Sequence, residues 1–332
     1  MEGRTMSITL LVDCGTTNLR VTALDDAHCV LAQAKRDGGV RHTAVDGHNG
    51  RVKAMLADGI SEVLSKIGKD AQDVSRCVAY GMITSNVGLL EIPHLPAPVD
   101  DMDLHKGMQT AVFPEIAPFP ITFIPGVRNF AGQVTPDNFS GMDMMRGEET
   151  EAVGLFELLH PQGECVMILP GSHNKFVRMD ADGRILGCMT SISGELLDAI
   201  THHTILANAV GGEFADAQTY DVQLVRQGAR ECAETGIGRA AFAGRILNQL
   251  GEVESVRLRS YLLGVVLAQD VAALKKFVPD VQNVKILIAG KAPLQCAIAD
   301  VMETLGLPDA VQVETEISGQ MGICGALKIA EG

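Results

Sequence analysis

The sequence predicts an α/β protein of two lobes, with duplicated mixed sheets flanked by helices. Two observations predict it. A unit of three short strands joined by polar turns occurs near the N-terminus and returns about half a chain later, and segments with helical apolar spacing fill the intervals. The length of 332 residues suits two domains or one large one.

In the first unit, Ile8 to Val12 is a β-branched apolar run that reads as a buried strand. It ends in the polar turn Asp13-Cys14-Gly15-Thr16-Thr17-Asn18. Leu19 to Leu24 reads as a second strand, Asp25-Asp26 turns the chain, and Val30 to Ala34 reads as a third. In the second unit the strands are Cys165 to Leu169, Phe176 to Met179 and Arg184 to Met189. They are joined by Pro170-Gly171-Ser172-His173-Asn174-Lys175 and by Asp180-Ala181-Asp182-Gly183. Glycine and Asp-Gly are residues that tight turns select. Elsewhere, Val52, Leu56, Ile60, Val63 and Leu64 follow helical spacing, and Glu148 to Leu159 opens with acids and then turns apolar, the order of a helix N-terminus. Tyr261 to Leu274 is a strongly apolar helix, Val284 to Ala289 a buried strand ending at Gly290-Lys291, and Gly322 to Ala330 a closing helix. The proline-rich stretch Glu91 to Pro125 is expected to be irregular, as a substrate-side loop or cap.

Composition removes several classes. The formal net charge of -14 argues against a nucleic-acid partner, which needs a basic face. It leaves anionic ligands open, because backbone N–H groups, a metal ion and a few arginines bind phosphate inside an acidic protein. No apolar run reaches the length of a membrane span, and the short polar stretch before the first strand is not a secretory signal. The eight cysteines include no CxxC pair and no zinc spacing, and most sit in apolar runs, as expected of buried thiols in a reducing cytoplasm. Trp is absent and aromatics are only 4%, so a sugar-stacking platform is not expected.

The turn at Asp13 suits a phosphate. Gly15 allows close backbone approach, Thr16, Thr17 and Asn18 offer donors, and Asp13 can hold Mg²⁺ through water. The plain alternative is a polar hairpin with an Asx-turn. Pairing with Gly171, Ser172, His173, Asn174 and Lys175 in the second unit strengthens the phosphate reading, since two such hairpins can clamp a triphosphate from both sides. The GxxxxGK(S/T) loop is absent, and no GxGxxG lies between a strand and a helix. In Met145-Arg146-Gly147-Glu148-Glu149-Thr150, one acid can accept a proton from an attacking hydroxyl, or both can simply complement the helix dipole. Ser85 and Asn86, after the strand Cys77 to Tyr80, can hydrogen-bond a polyol or cap the next element. Arg20 and Arg128 are candidates for a substrate carboxylate, or ordinary surface residues. His173 and His202-His203 lack zinc spacing.

Several motifs together resemble one family, the 2-keto-3-deoxygalactonokinases, also called 2-dehydro-3-deoxygalactonokinases. They are DCGTTNLR (Asp13 to Arg20), GMITSNVG (Gly81 to Gly88), IPGVRN (Ile124 to Asn129), MRGEET (Met145 to Thr150), LPGSHNKFV (Leu169 to Val177), SGEL (Ser193 to Leu196) and the helix around Tyr261 to Leu267. The resemblance implies the two-lobe actin-like ATPase fold, also called ribonuclease H-like. It implies an N-terminal lobe, 6–147, with the first phosphate hairpin and the sugar loops. A C-terminal lobe, 148–332, would carry the second hairpin and the adenosine site, its last helix a candidate to return to the first lobe. It implies transfer of the ATP γ-phosphoryl to the terminal hydroxyl of 2-dehydro-3-deoxy-D-galactonate, with Mg²⁺ water-linked to Asp13 and either Glu148 or Glu149 as base. Ser85, Asn86, Arg20, Arg128 and Arg146 are then substrate contacts, and Gly290, Lys291 and the Tyr261 helix border the adenine. Lobe closure would exclude water.

Two neighbouring functions share these features. One is a kinase for another 2-keto-3-deoxy sugar acid, such as 2-keto-3-deoxygluconate, which differs at one stereocentre. The other is an actin-like ATPase acting on a protein partner, although a dehydratase activator needs a cluster-ligating cysteine pair that Cys14 and Cys165 do not provide. The expected partner is a small-molecule sugar acid, with no nucleic acid and no membrane, and a homodimer is the candidate assembly.

Overall fold

The structure, a computed structural model, describes residues 7–130 and 132–332. The chain forms two compact units. The first takes in the described residues up to His160 together with Gly183–Gly187 and Gln320–Gly332, and the second comprises Pro161–Asp182 and Cys188–Gly319.

The first unit holds strands β1 (Ile8–Cys14), β2 (Asn18–Leu24), β3 (Val30–Asp37), β4 (Val74–Gly81), β5 (Leu95–Pro96), β6 (Gln109–Ala111), β7 (Ile121–Phe123), β8 (Val127–Arg128) and β9 (Met144–Met145). The main sheet has the order β3-β2-β1-β4-β7-β6, and β5-β8-β9 form a separate small sheet. Strand β1 is antiparallel to β2 and parallel to β4. Its Ile8, Leu10, Val12 and Cys14 are fully buried. Helices α1 (Arg41–Asp46), α2 (Gly50–Lys66), α3 (Asp101–Gly107) and α4 (Glu148–Leu159) belong here. Helix α2 inserts Val52, Leu56, Ile60 and Val63 into the core under the sheet, as the apolar spacing requires.

The second unit repeats the plan. Strands β10 (Cys165–Leu169), β11 (Asn174–Met179), β12 (Ile185–Ser191, of which residues up to Gly187 fall in the first unit), β13 (Lys285–Ile288) and β14 (Ala310–Gln312) are ordered β12-β11-β10-β13-β14. Here β10 is antiparallel to β11 and parallel to β13, matching β1 with β2 and β4. Every residue of β10 is buried, as in a strand covered on both faces. Its helices are α5 (Ser193–His203), α6 (Ala207–Val210), α7 (Val222–Thr235), α8 (Ile237–Gln249), α9 (Ser255–Phe277) and α10 (Leu294–Thr304). Helix α11 (Thr315–Glu331) begins in this unit and ends in the first.

Two helix pairs cross with their backbones in contact, each through reciprocal glycines. A Cβ on Gly154 of α4 would lie 1.8 Å from the Met321 carbonyl oxygen of α11, and one on Gly325 would lie 1.8 Å from that of Thr150. On α7 and α9, a Cβ on Gly228 would lie 2.1 Å from the Tyr261 oxygen, and one on Gly264 1.9 Å from the Val225 oxygen. Side chains cannot interdigitate at such crossings, so only glycine permits them.

Three findings differ from the sequence expectation. Helix α4, expected to open the second lobe at residue 148, lies in the first unit, where its Gly154 packs on Met321 and Gly325 of α11. The stretch Glu91 to Pro125 contains helix α3, held by a capping box from Asp100 and Asp103, and strands β6 and β7. Tyr261 is 1% exposed, and its hydroxyl donates to the Ala240 carbonyl at 2.9 Å, so it fills the core and presents no face to adenine.

Gly154→Ala and Gly264→Ala should each lower stability by about 1–3 kcal/mol through overpacking. Gly238→Ala, on α8 in open space, should raise it by about 0.4–1 kcal/mol. Chemical denaturation of the three variants checks both signs.

Candidate active site

The first turn is set by what its carbonyls do. The Gly38 N–H donates to the Thr17 oxygen at 2.7 Å, Val40 to Gly15 at 3.2 Å and Arg41 to Thr16 at 3.0 Å. These bonds draw three carbonyls back onto the segment that follows β3. The backbone N–H groups of Thr16 and Thr17 have no hydrogen-bond partner among the described residues, and both residues are exposed. Outward N–H groups beside a glycine make a concavity suited to an anion. Gly39 permits the arrangement, since a Cβ there would lie 2.0 Å from the Gly15 oxygen. A Cβ on Gly15 itself would meet only the Asn18 oxygen, at 3.8 Å, so the face above the turn is open.

Carboxylates gather beside this turn. In the sheet register, Asp13 lies opposite Arg20 on one side and Tyr80 on the other. The half-buried Asp13 carboxylate is 3.9 Å from the exposed Arg20 guanidinium. Burial raises the Asp13 pKa, Arg20 opposes the rise and Glu148 adds to it. Glu149 is fully buried, and both its oxygens accept from the Gly147 N–H, at 2.9 and 2.8 Å. Burial, reinforced by Glu148, pushes its carboxyl up to about 8. Glu148 is half-buried and accepts from the Arg146 N–H at 3.1 Å. Glu151, also half-buried, is pushed up to about 8 by burial and then by Asp13, Glu148 and Glu149. Tyr80, buried among Asp13, Glu151 and Glu149, stays a neutral phenol well above the usual tyrosine range. Cys14 lies in the core, and burial pushes its thiol up to about 12, so it is inert at neutral pH.

Arg146 ties this acid-bearing turn to the loop after β4. It donates to Thr84 Oγ1 at 2.8 Å and to the Ile92 carbonyl at 2.6 Å. Thr84 is buried and donates in turn to the Gly81 carbonyl at 3.0 Å. Of the polyol candidates, Ser85 is 7% exposed and spends its hydroxyl on the Met82 carbonyl, whereas Asn86 is exposed. Arg128 is half-buried in β8. Together β5, β8 and β9 hold the segments bearing Arg128 and Arg146 side by side.

The second turn repeats the device. A Cβ on Gly194 would lie 2.3 Å from the Gly171 oxygen, and the Glu195 N–H donates to the Ser172 oxygen at 3.2 Å. Gly171, Ser172 and His173 are exposed, and His173 Nε2 pairs with Glu195 Oε1 at 2.8 Å. Asn174 and Lys175 instead point inward. Asn174 accepts from the Gly171 N–H at 3.0 Å, and Lys175 donates to Thr190 Oγ1 at 2.5 Å. Gly290, after β13, has φ +119°, and its N–H donates to Ser318 Oγ at 3.2 Å; Lys291 beside it is exposed.

A model of the 2-keto-3-deoxy-galactonokinase family matches residues 13–325, which takes in both turns and the acids. The chain belongs to this family. A probable 2-dehydro-3-deoxygalactonokinase of Rhizobium meliloti (strain 1021) is 30% identical over 216 residues, covering 63% of this chain and 60% of that protein. The 2-dehydro-3-deoxygalactonokinase of Escherichia coli (strain K12) is 26% identical over 320 residues, 95% of each chain. Among solved structures, a Sinorhizobium meliloti protein assigned as a 2-dehydro-3-deoxygalactonokinase superposes with a TM-score of 0.76 at 22% identity, covering 96% of this chain and 97% of that one. The activator of 2-hydroxyisocaproyl-CoA dehydratase from Clostridium difficile, with bound ADPNP, superposes with a TM-score of 0.50 at 14% identity, covering 97% and 94%. The fold is that of the actin-like ATPases.

Against this family background, four residues at the two turns had no role assigned from sequence. Tyr80 and Glu151 adjoin Asp13, Gly39 shapes the first turn, and Gly194 sits inside the SGEL motif, which carried no assigned role. Tyr80 was legible in principle, because a parallel strand after β1 must set one residue opposite Asp13. Glu151 was also legible, one helical turn beyond Glu148. Among the described residues, no group of three or more His, Cys, Asp or Glu side chains is arranged to hold a metal ion.

Gly39→Ala should lower kcat/KM by about tenfold or more while the protein stays folded, because the added methyl forces the Gly15 carbonyl toward the phosphate side. Steady-state kinetics with a melting curve checks it. Glu149 titrates near 8 when folded, above its ordinary value of 4.5, so it favours the folded state fully below pH 4.5 and loses that contribution as pH rises to about 8. Glu149→Gln should flatten the fall in melting temperature across that window.

Proposed function

We propose that the chain phosphorylates 2-dehydro-3-deoxy-D-galactonate on its terminal hydroxyl with ATP, giving the 6-phosphate. The observation that carries this reading is the set of acids beside a turn whose N–H groups face outward, within a chain matched by the kinase family from residue 13 to 325. A phosphate and a proton acceptor are the two requirements of such a transfer. ATP supplies the transferable phosphoryl group, and Mg²⁺ neutralises its charge when bound.

In this reading, Thr16 and Thr17 orient phosphate through their N–H groups, and Gly15, Asn18, Ser172 and His173 complete the two turns. Asp13 holds the metal through water. Between the two candidate bases, exposure favours Glu148. A general base must touch the proton it removes, and Glu149 is sealed at 0% exposure on the Gly147 N–H. Glu149 then serves to fix the Gly147 turn that aims Glu148. Arg20 and Arg128 are the carboxylate contacts and Asn86 the polyol contact. Arg146 acts one step back, by fixing the loop that carries Asn86. Gly290 and Lys291 remain the adenosine-side candidates. The absence of disulfides among the described residues supports a reducing compartment such as the cytoplasm.

An ADP-release assay across acid sugars tests the reading. Turnover should require 2-dehydro-3-deoxygalactonate and fall sharply with its gluco epimer. ATP turnover indifferent to every acid sugar would overturn it. Glu148→Gln should cut kcat by about 10²-fold or more with little change in the KM for ATP, and Glu149→Gln should cut it less. The reverse order would assign the base to Glu149.

A further inference from the structure

Asp270 is a charged group that the proposed chemistry does not use. It lies on α9, a helix buried over most of its surface, and is 4% exposed. An ionised carboxylate in such a place is costly unless donors surround it. Donors do surround it. Asn174 Nδ2 donates to Oδ2 at 2.7 Å, Ser193 Oγ donates to Oδ1 at 2.5 Å, and Ser191 Oγ lies 2.9 Å from the Ser193 hydroxyl. These residues come from three places that frame the second phosphate turn: the start of β11, the end of β12 and the start of α5.

We infer that Asp270 is a positioning residue that sets nucleotide affinity by fixing the second phosphate turn through Asn174 and Ser193. Because Asn174 gives its amide N–H to Asp270, its carbonyl oxygen is turned to the Gly171 N–H, 3.0 Å away. A neutral acceptor at 270 would allow the amide to flip, which would set a donor against the Gly171 donor. The bond to Asp270 likewise anchors Ser193, next to Gly194, whose lack of a side chain lets α5 lie against the Gly171 and Ser172 backbone. Asp270 thus governs both ends of the turn without reaching its exposed face.

The inference rests on the kinase reading, so its test separates the two. Binding of the β,γ-imido analogue of ATP is measured by titration calorimetry, and the KM for the sugar acid by the ADP-release assay. Asp270→Asn should weaken analogue binding by about tenfold or more and leave the sugar-acid KM within about twofold, as expected for loss of a charge-assisted hydrogen bond acting on one ligand. Ser193→Ala, which keeps the Asp270–Asn174 bond, should show the same split at roughly two- to fivefold, and it decides the matter should Asp270→Asn fail to fold. Unchanged analogue binding in the folded variants, or equal weakening for both ligands, overturns the positioning role. A wild-type chain that binds no analogue overturns the kinase reading and the inference with it.

Discussion

A carbonyl oxygen and a phosphate oxygen repel, so a backbone turn that is to receive phosphate has to face its carbonyls elsewhere. Both turns of this chain meet that requirement in the same way. The chain leaves the third strand of each unit and lays a glycine against the first carbonyl of the turn, Gly39 on Gly15 and Gly194 on Gly171. The N–H groups that follow, from Val40, Arg41 and Glu195, take up turn carbonyls. On the proposed reading, the duplication of the meander is a duplication of a phosphate-binding surface, with the third strand needed to deliver the glycine. The site residues depend on this constraint, because Asp13 and Asn174 take their places from the turns they flank.

A second constraint is electrostatic. Asp13, Glu148, Glu149 and Glu151 repel one another, and burial adds to the cost of their charge. The protein accepts this cost where it is useful. Arg20 offsets part of it at Asp13, and the Gly147 N–H offsets part of it at Glu149. Raised proton affinity at Asp13, Glu149 and Glu151 marks a place suited to proton transfer. Among the described residues, the second unit has one buried acid near its turn, Asp270, surrounded by neutral donors. The two turns are alike in backbone and unlike in charge, as expected if one of them carries the chemistry and the other holds the nucleotide.

Much of this was legible in the sequence, for identifiable reasons. Most strands of both meanders stood out because their apolar residues are buried and their turns carry Gly, Asp and Asn; β3, with Val30 and Leu31 exposed, stood out by its β-branched and apolar start. Helix α4 was found to the residue because its acids mark the N-terminus. Helices α7 and α8, and the short strands β5, β8 and β9, were not found. The helices are punctuated by Gly228 and Gly244, which weaken the periodic pattern, and two-residue strands have no period to detect. At the site, exposed donors such as Thr16 and Asn86 were readable from residue type. The inward roles of Asn174, Lys175 and Arg146 were not, since a polar side chain in a motif looks the same whether it meets a ligand or another part of the chain. Asp270 was hidden for the same reason, as a single acid within an apolar helix with partners 77 and 96 residues away.

The crossing of α4 with α11 bears on the order in which the protein can be made. Helix α4 carries the acids, and its Gly154 packs against Met321 and Gly325 of α11. Synthesis runs from the N-terminus, so β1 to β4 can pair early while the ribosome is still adding the second unit. The acid-bearing helix completes its packing only when α11 emerges. The helix that carries the acids therefore gains this backbone contact only after the whole of the second unit has been translated.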